Sequence, residues 1–302
     1  MDHPKLSDLV QIESPEAVLE EVRLILTLIS SDFDARPVVT AFHRIVRVFQ
    51  GKHPGYKACN TPYHDLRHTT DAFLAMSRLI HGAELEGENL TPGRMGLGLI
   101  ATLFHDVGYI QEKKDGKGTG AKYTAEHVLR SADFFERYGR EKGLTGEDIS
   151  AGRAMILCTD MNMEIDALQF PDAQVELLAG LVHGADLLAQ MADRHYLEKL
   201  LFLYHEFREG GVGDYQSESD LLRRSLGFYD VVDERFGALC QRFSRYMISH
   251  FLSRWNLPRN LYREAINRQK NYLSKILAIQ DGDLLAHLRR GGIVQRVQSL
   301  YG

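Results

Sequence analysis

The spacing of apolar residues is the feature of this chain that most limits its fold. Apolar side chains recur three or four positions apart almost throughout, for example at Leu19, Val22, Ile25 and Ile29. That period places apolar residues on one face of an α-helix, whereas a half-buried strand needs an alternation that no stretch here sustains. The sequence therefore predicts an all-α fold, a compact bundle of many helices.

Residues that start and stop helices divide the chain into about eight to ten helices. The divisions lie at Pro54-Gly55, Thr91-Pro92-Gly93, 115–120, 145–148, Pro171-Asp172 and 210–213. No repeat, low-complexity segment or Pro/Ser-rich linker separates two halves. We predict one helical domain over 1–302, with accessory helices in 1–40, the main body in 41–255 and capping helices in 256–302.

Charge and cysteine usage argue against several classes of protein. The net charge is −5 and no dense run of Lys or Arg is present, so a surface for duplex nucleic acid is not expected. The three cysteines, Cys59, Cys158 and Cys240, are odd in number and widely spaced, so neither a disulfide framework nor a thiolate zinc site is expected. A reducing compartment, the cytoplasm, fits this usage.

Neither an export signal nor a membrane span is expected. No apolar run follows the N-terminal residues, and the longest apolar stretch, Met95–Phe104, is far shorter than the ~20 residues of a spanning helix. With 44% hydrophobic and 25% charged residues, the composition is typical of a globular protein with a large core and no membrane partner.

Two histidines and an aspartate form a polar stripe in the segment Tyr63–Asp71. His64 and His68 are four residues apart, and Asp71 follows three residues later, so a helix would place all three on one face. An amphipathic helix normally has apolar residues at such positions, so the stripe indicates a site rather than plain packing.

A His-Asp doublet and a distant aspartate add further metal-binding residue types. His105 and Asp106 close the apolar segment Gly98–Phe104, where an imidazole and a carboxylate can both bind a divalent ion. Asp186 lies in an apolar run, and a buried carboxylate is costly unless it is paired or bound to metal. Each residue alone is more often a satisfied core residue, but the signals together indicate a metal centre.

The order of these motifs resembles that of the HD superfamily of metal-dependent phosphohydrolases. The segment 63–71 resembles the Tyr-His-Asn-x-x-His-Ala-x-Asp signature of class I cyclic-nucleotide phosphodiesterase catalytic domains. Further resemblances follow in the same order, to Ile-Leu-Ala-Thr-Asp-Met at 156–161, to Ala-Asp-Ile at 185–187 and to Val-Gly-Phe-Ile-Asp at 226–230. The similarity extends over about residues 40–250, so it implies an HD-domain, phosphodiesterase-like helical body.

The resemblance implies a role for each matching residue. It implies two divalent ions, whether Mn, Mg, Zn or Fe, bridged by Asp106 and held by the ligands His68, His105, Asp106 and Asp186. His64 matches the proton donor to the leaving oxygen, and a hydroxide between the ions is the nucleophile. Asp71 and Asp160 match residues that orient imidazoles or bound waters.

Several other residues are candidates for the same site. Other HD phosphohydrolases carry a histidine on the helix after the doublet, and Glu126 and His127 stand there as candidates for a second metal. An exposed pair at a helix start is the alternative for them. His183 shares the face of Asp186 and is a candidate for supporting the ligands. The candidates for substrate binding are Tyr63, Ser225 and Phe228, and for the two aromatic residues packing is the alternative role.

The chain also departs from the phosphodiesterase pattern. Ser225 stands where those enzymes have the glutamine that holds the purine edge, and Asp65 replaces their asparagine. Their His-Asp-x-Asp-His-Pro run reads His-Asp-Val-Gly-Tyr-Ile at 105–110, and Ala189-Gln190 replaces an Asn-Pro pair. The residues that hold water on the second metal are thus altered, and purine recognition of the usual kind is not expected.

These patterns predict a hydrolase that cleaves a small-molecule phosphoester, with a 3′,5′-cyclic nucleotide as the leading substrate. The alternatives are a nucleotidase or other phosphomonoesterase, a non-catalytic nucleotide-binding HD module, and a metal-dependent oxygenase with His127 and His183 as extra ligands. The presence of every core ligand and of His64 argues against a decayed, non-catalytic site. The C-terminal helices either cap the bundle or mediate a homodimer.

Overall fold

Helices account for the regular structure of this chain. The structure, a computed structural model, describes residues 4–163, 168–279 and 283–302, without the side chains of 233–239. That part of the chain contains eleven α-helices, four short 3₁₀ helices and, apart from two isolated β-bridges, no strand. The predicted all-α fold is confirmed.

The helices follow one another with short connections. The α-helices are α1 Pro15–Ile29, α2 Arg36–Phe49, α3 Leu66–Leu85, α4 Pro92–Phe104, α5 His127–Lys142, α6 Gly146–Leu157, α7 Ala173–Ala192, α8 Tyr196–Gly210, α9 Glu218–Trp255, α10 Leu261–Leu277 and α11 Ile293–Tyr301. The 3₁₀ helices are Leu6–Asp8, Val107–Tyr109, Gly120–Tyr123 and Leu284–His287. The predicted breaks between helices do not include the one before α11, where Gly291 and Gly292 have positive φ angles of 65° and 62°.

Side-chain caps explain where two of these helices begin. The Thr145 hydroxyl accepts a hydrogen bond from the backbone N–H of Asp148 at 3.0 Å, and α6 begins in that segment as predicted. Asp65 caps α3 in the same way, since its Oδ1 accepts from the backbone N–H of His68 at 2.9 Å. The prediction that His64 shares a helical face with His68 is therefore wrong, because the Asp65 cap leaves His64 in the preceding turn.

Helix α3 lies at the centre of the bundle. Its residues from His68 to Ala83 are all buried, and it packs against α1, α4, α7 and α9. Helix α9 comes closest at Gly82, where a Cβ atom would lie 1.9 Å from the carbonyl oxygen of Tyr246. Because only glycine lacks that atom, Gly82 sets the distance between α3 and α9.

Helix α7 is the second core helix. Among the described helices it is long and apolar enough to cross a membrane by length and composition, but it lies mostly buried inside the bundle. Helix α7 combines length with an apolar composition, although single polar residues such as His183 and Asp186 interrupt it. Burial of α7 carries those two polar residues into the interior.

Buried apolar side chains form two clusters. The larger one takes in α1 to α7 with parts of α9 and α10, so α1 and α2 share a core with α3. The smaller one joins α8 to α9, α10 and α11, and it includes Tyr63, Leu187 and Tyr196. These three residues also line the cavity described below, which opens between the two clusters. The division of the chain at residues 40 and 256 stays a prediction.

Candidate metal centre

Four buried side chains from distant parts of the chain meet between α3, α4 and α7. The Nε2 atom of His68 lies 3.2 Å from Asp106 Oδ2 and 3.1 Å from Asp186 Oδ1. The Nε2 atom of His105 lies 3.3 and 3.5 Å from the same two oxygens, and 3.3 Å from the Nε2 of His68. The fold therefore brings all four sequence-predicted ligands together.

The donor atoms of this cluster fit a divalent metal ion. His105 Nδ1 donates to the carbonyl oxygen of Thr102 at 2.7 Å, which leaves a lone pair on Nε2. Asp106 Oδ2 is buried and accepts no well-aligned hydrogen bond from the described residues. The ligand atoms of His68, His105 and Asp106 all lie within 4.8 Å of one another. A cation bound by imidazoles and carboxylates would supply the partner that the Asp106 oxygen lacks.

The ionisation of the cluster points to the same conclusion. Burial lowers the pKa of His68, but the nearby carboxylates of Asp106 and Asp186 outweigh it and raise that pKa to about 9. Burial raises the pKa of Asp106 and of Asp186, yet the neighbouring imidazoles hold both well below their usual range. In the absence of metal, protons on the histidines balance the two carboxylates. Metal binding would displace those protons.

Asp186 is held by Gln190, a residue that the sequence analysis did not select as a site residue. Gln190 Nε2 donates to Asp186 Oδ1 at 2.6 Å, and the Tyr63 hydroxyl donates to Gln190 Oε1 at 3.0 Å. Gln190 belongs to the pair that replaces Asn-Pro in the phosphodiesterase pattern. The replacement therefore orients Asp186 and links it to Tyr63 in the cavity wall.

Three stacked rings lie beside the His-Asp doublet. The ring of Tyr109 stacks on that of His64 at 4.3 Å between centroids and on that of His127 at 4.4 Å. At Gly108 a Cβ atom would lie 2.0 Å from the carbonyl oxygen of His127. The glycine that stands where the phosphodiesterases have aspartate thus allows α5 to begin directly against the doublet.

His127 is the residue best placed for a second ion. Its Nδ1 donates to the carbonyl oxygen of Thr124 at 2.7 Å, and its Nε2 lies 3.7 Å from Asp106 Oδ1. Burial lowers the pKa of His127, which favours the neutral imidazole that a metal ion needs. Glu126 is exposed and does not line the cavity. The structure thus brings His127 to the site and leaves Glu126 at the surface.

A buried glutamate holds His64. Glu206 on α8 places Oε2 2.7 Å from His64 Nδ1, while its Oε1 accepts from the backbone N–H of Tyr63 at 2.7 Å. Both contacts are buried, and they leave Nε2 of His64 free of that ion pair. The sequence analysis did not select Glu206, which is 142 residues away from His64 in the chain.

A cavity of about 460 Å³ adjoins the cluster, a volume in the usual range for a small-molecule site. Its walls include Asp106, Asp186, His64, His127 and Asp160. The three candidates for substrate binding also line it, namely Tyr63, Ser225 and Phe228. The Ser225 hydroxyl donates to the backbone carbonyl of Leu222 at 2.7 Å, so it has no proton left to donate to a ligand in that arrangement.

Two candidates lie elsewhere. His183 is fully buried, and its Nδ1 bonds to the carbonyl oxygen of Cys158; it is outside the group of mutually close ligand atoms. Asp71 does not line the main cavity and faces Arg67, 3.8 Å away. Burial, with the nearby Asp193 carboxylate, raises the pKa of Asp71 to about 8.

Comparison with known proteins places this chain in a family. Residues 55–238, more than half of the chain, match the sequence model of the Npun_R2479-like proteins. The chain belongs to the Npun_R2479-like family. The matched residues of this Npun_R2479-like chain include all four clustered ligands together with His64 and Glu206. No curated protein matches it in sequence.

A search of solved structures found a match over most of the chain. The structure of LmjPDEB1, a Leishmania phosphodiesterase, in complex with IBMX aligns with 91% of this Npun_R2479-like chain and 95% of its own chain, with a TM-score of 0.49 and 16% sequence identity.

Proposed function

We propose that this chain is a metal-dependent phosphoester hydrolase, with a 3′,5′-cyclic nucleotide as the leading substrate. The observation that carries the proposal is the convergence of His68, His105, Asp106 and Asp186 at the base of a cavity that His64 also lines. A metal cluster and a proton donor on one cavity are the two parts that phosphoester hydrolysis needs.

The residues divide the chemistry between them. When bound, divalent cations acidify water and neutralise the charge on the phosphoryl oxygens. Asp106 and Asp186 would supply the negative charge that retains such cations. The ring of Tyr109 packs against those of both His64 and His127, whose centroids lie 6.0 Å apart. Glu206 accepts the hydrogen bond of His64 Nδ1 and so orients the ring, whose Nε2 is the atom that would donate a proton to the departing oxygen.

Hydrolysis of a defined substrate panel tests this proposal. The panel contains cyclic AMP, cyclic GMP, nucleoside monophosphates and bis(p-nitrophenyl) phosphate, each with Mn²⁺, Mg²⁺, Zn²⁺ or Fe²⁺. Asp106→Ala is expected to abolish turnover, whereas Asp230→Ala, which removes an exposed carboxylate on α9, is expected to leave it unchanged. Cyclic-nucleotide cleavage to a monophosphate that depends on metal and on Asp106 is the expected result.

A nucleotidase or other phosphomonoesterase is the second candidate, and one observation favours it. Ser225 stands in the place of the purine-binding glutamine, and its hydroxyl proton is committed to the Leu222 carbonyl. Release of orthophosphate from monophosphates, without cleavage of cyclic nucleotides, would select this function over the first. The oxygenase alternative has less support, because His183 lies outside the ligand group while only His127 adjoins it.

Metal analysis addresses the non-catalytic alternative. A binding module would show no turnover on any substrate and would hold no transition metal after purification. Saturable nucleotide binding without turnover, in protein that is replete with metal, would contradict the hydrolase proposal.

A further inference from the structure

A second cavity, larger than the first, lies on another face of α3. Its volume is about 550 Å³, and Arg67, Asp71, Leu74 and Arg78 of α3 form one wall. The spacing of these four residues places them on one face of the helix. The N-terminal residues near Lys5, the end of α7 and helix α10 complete the walls. None of the residues that line this cavity lines the candidate catalytic cavity.

The lining of this second cavity, which we call the arginine cavity, is rich in cations. Six side chains that are cationic at neutral pH face four carboxyl groups across it. The cations are Lys5, Arg67, Arg78, Arg194, Arg268 and Arg290, and the carboxyl groups belong to Asp8, Glu13, Asp71 and Asp193. An excess of guanidinium groups around a concave surface raises the local concentration of anions.

Arg78 provides the strongest evidence. Its side chain is 2% exposed, and Nη1 donates to the Tyr262 hydroxyl at 2.9 Å. The rings of Phe251 and Tyr262 lie 5.5 and 5.6 Å from its guanidinium carbon and hold the group in place. Within the described parts of the chain, nothing accepts a hydrogen bond from its Nε or Nη2. A buried guanidinium with two unused donor atoms is costly unless an acceptor enters the cavity.

Arg67 adds a second guanidinium of the same kind. Its Nε and Nη2 are buried, and no described residue accepts a hydrogen bond from them. The nearest carboxylate oxygens, on Asp193, Asp71 and Glu13, are 3.5 to 3.8 Å away. These distances are ion-pair contacts rather than hydrogen bonds.

Two of the four carboxyl groups of the cavity are engaged with other groups. Asp193 contacts Lys199 at 2.9 Å and accepts from the backbone N–H of His195 at 2.9 Å. Asp8 accepts from the backbone N–H of Lys5 at 2.8 Å. Among the described residues, no carboxylate accepts a hydrogen bond from Nε or Nη2 of Arg78.

We propose that the arginine cavity binds a small organic oxyanion, whose phosphate or carboxylate group accepts hydrogen bonds from Arg78 and Arg67. Guanidinium groups recognise both oxyanions through paired N–H donors. The cavity volume is in the range of small-metabolite sites and exceeds that of a single inorganic ion. This binding is independent of the proposed hydrolysis, because the two cavities share no residue.

Calorimetric titration of the full-length protein with pyrophosphate, inorganic phosphate and succinate tests this proposal, with sodium chloride at matched ionic strength as the reference. Saturable binding of at least one oxyanion is expected. Arg78→Met is expected to weaken it by about tenfold or more, and Arg268→Gln by roughly threefold. Arg263→Gln is the matched control. Arg263 is exposed and lies on α10, as Arg268 does, but it does not line the cavity.

A further variant separates this cavity from the metal centre. Asp106→Asn is expected to keep the oxyanion binding, whereas binding that is lost with Asp106 would overturn the proposal by assigning it to the metal centre. If Arg78→Met does not fold, Arg67→Gln combined with Arg268→Gln provides the same test. Binding unchanged in that double variant, or absent for all three oxyanions in the wild type, would also overturn it. Preference for pyrophosphate or for succinate identifies the class of ligand.

Discussion

Among single residues, the pair of His64 and Glu206 shows most clearly how one side chain sets the orientation of another. The Glu206 carboxylate lies 2.7 Å from Nδ1 of His64, so it accepts the hydrogen bond of that nitrogen and fixes the orientation of the ring. Glu206 is thus the residue that positions Nε2 of His64 for proton transfer.

Replacing Glu206 by glutamine tests this role. Glu206→Gln keeps the shape of the side chain and replaces the carboxylate that accepts the hydrogen bond of His64 Nδ1 by a neutral amide. We expect kcat to fall by about 10²- to 10³-fold, because His64 is then held less firmly in position for proton transfer. Measurement of kcat on the best substrate of the panel checks this loss.

Glu209→Gln is the control for this substitution, since Glu209 is an exposed carboxylate three residues further along α8. Its kcat should equal that of the wild type. An unchanged kcat in Glu206→Gln, with normal folding by circular dichroism, would contradict the role of Glu206 in positioning His64.

The ionisation of the metal cluster predicts the pH dependence of metal binding. The pKa of His68 without metal is about 9, so at neutral pH the imidazole must lose a proton before it binds a cation. Affinity for Mn²⁺ or Zn²⁺ should rise by about tenfold per pH unit for each proton displaced between pH 6 and 8. Titration calorimetry in buffers of different ionisation enthalpy counts those protons; affinity that does not change with pH would refute the assignment of His68.

Asp71 predicts a separate effect of pH on stability. Its pKa in the folded chain, about 8, lies above the unfolded value of 3.8. Its contribution to stability is therefore fully present below about pH 4 and is lost as the pH rises toward 8. In the wild type this loss lowers the free energy of unfolding by on the order of 1 kcal/mol per pH unit in that window, and Asp71→Asn should remove this part of the slope. Urea unfolding at pH 5, 6, 7 and 8 measures the difference; parallel curves would argue against a buried, protonated Asp71.

At the scale of elements, close approaches between backbones determine how the helices carrying the ligands are placed. Helix α3 carries His68, and α9 packs directly on its C-terminal half through Gly82. The doublet approaches the start of α5 through Gly108 in the same way. A side chain at either position would push two backbones apart, because both obstructing atoms are carbonyl oxygens and not flexible side-chain ends.

Alanine substitution measures the closeness of α3 and α9. Gly82→Ala should lower the free energy of unfolding by about 2–4 kcal/mol, because the new methyl group overlaps the Tyr246 carbonyl. Gly96→Ala in α4 is the matched control, since its Cβ would meet only Val38, at 3.9 Å. That change should be neutral or stabilise by up to about 1 kcal/mol. Chemical denaturation compares the two, and equal effects would contradict the close packing.

At the scale of the whole molecule, the N-terminal helices share a core with the helices that hold the site. Val22 of α1 is fully buried in the same cluster as residues of α3, α4 and α7. The only tryptophan of the chain, Trp255 at the end of α9, packs against that cluster as well. Unfolding of α1 should therefore be linked to loss of structure around Trp255.

This shared core predicts cooperative unfolding. Val22→Ala should lower the free energy of unfolding by about 2 kcal/mol through the cavity that it leaves. The midpoints recorded by Trp255 fluorescence and by far-ultraviolet circular dichroism should shift together. Leu28→Ala, at an exposed position on the same helix, is the control and should shift neither midpoint. A separate early transition seen by circular dichroism alone would indicate an independent N-terminal unit.

Local sequence patterns were enough to predict the class of fold and the identity of the clustered residues. Helical periodicity depends on neighbouring residues, so the all-α fold could be predicted without tertiary contacts. The four ligands could be selected because histidine and aspartate at apolar positions need a partner, whatever that partner is. The Thr145 cap was predictable for the same local reason.

The partner of each polar residue, in contrast, depends on how the helices pack. Glu206 and Gln190 lie far from His64 and Tyr63 in sequence, and nothing local distinguishes them from surface residues of α8 and α7. The placement of Asp71 toward the arginine cavity, and of His183 toward the Cys158 carbonyl, likewise depends on the rotation of α3 and α7 in the bundle. Helix packing sets that rotation through contacts between distant residues, which the local sequence pattern does not contain.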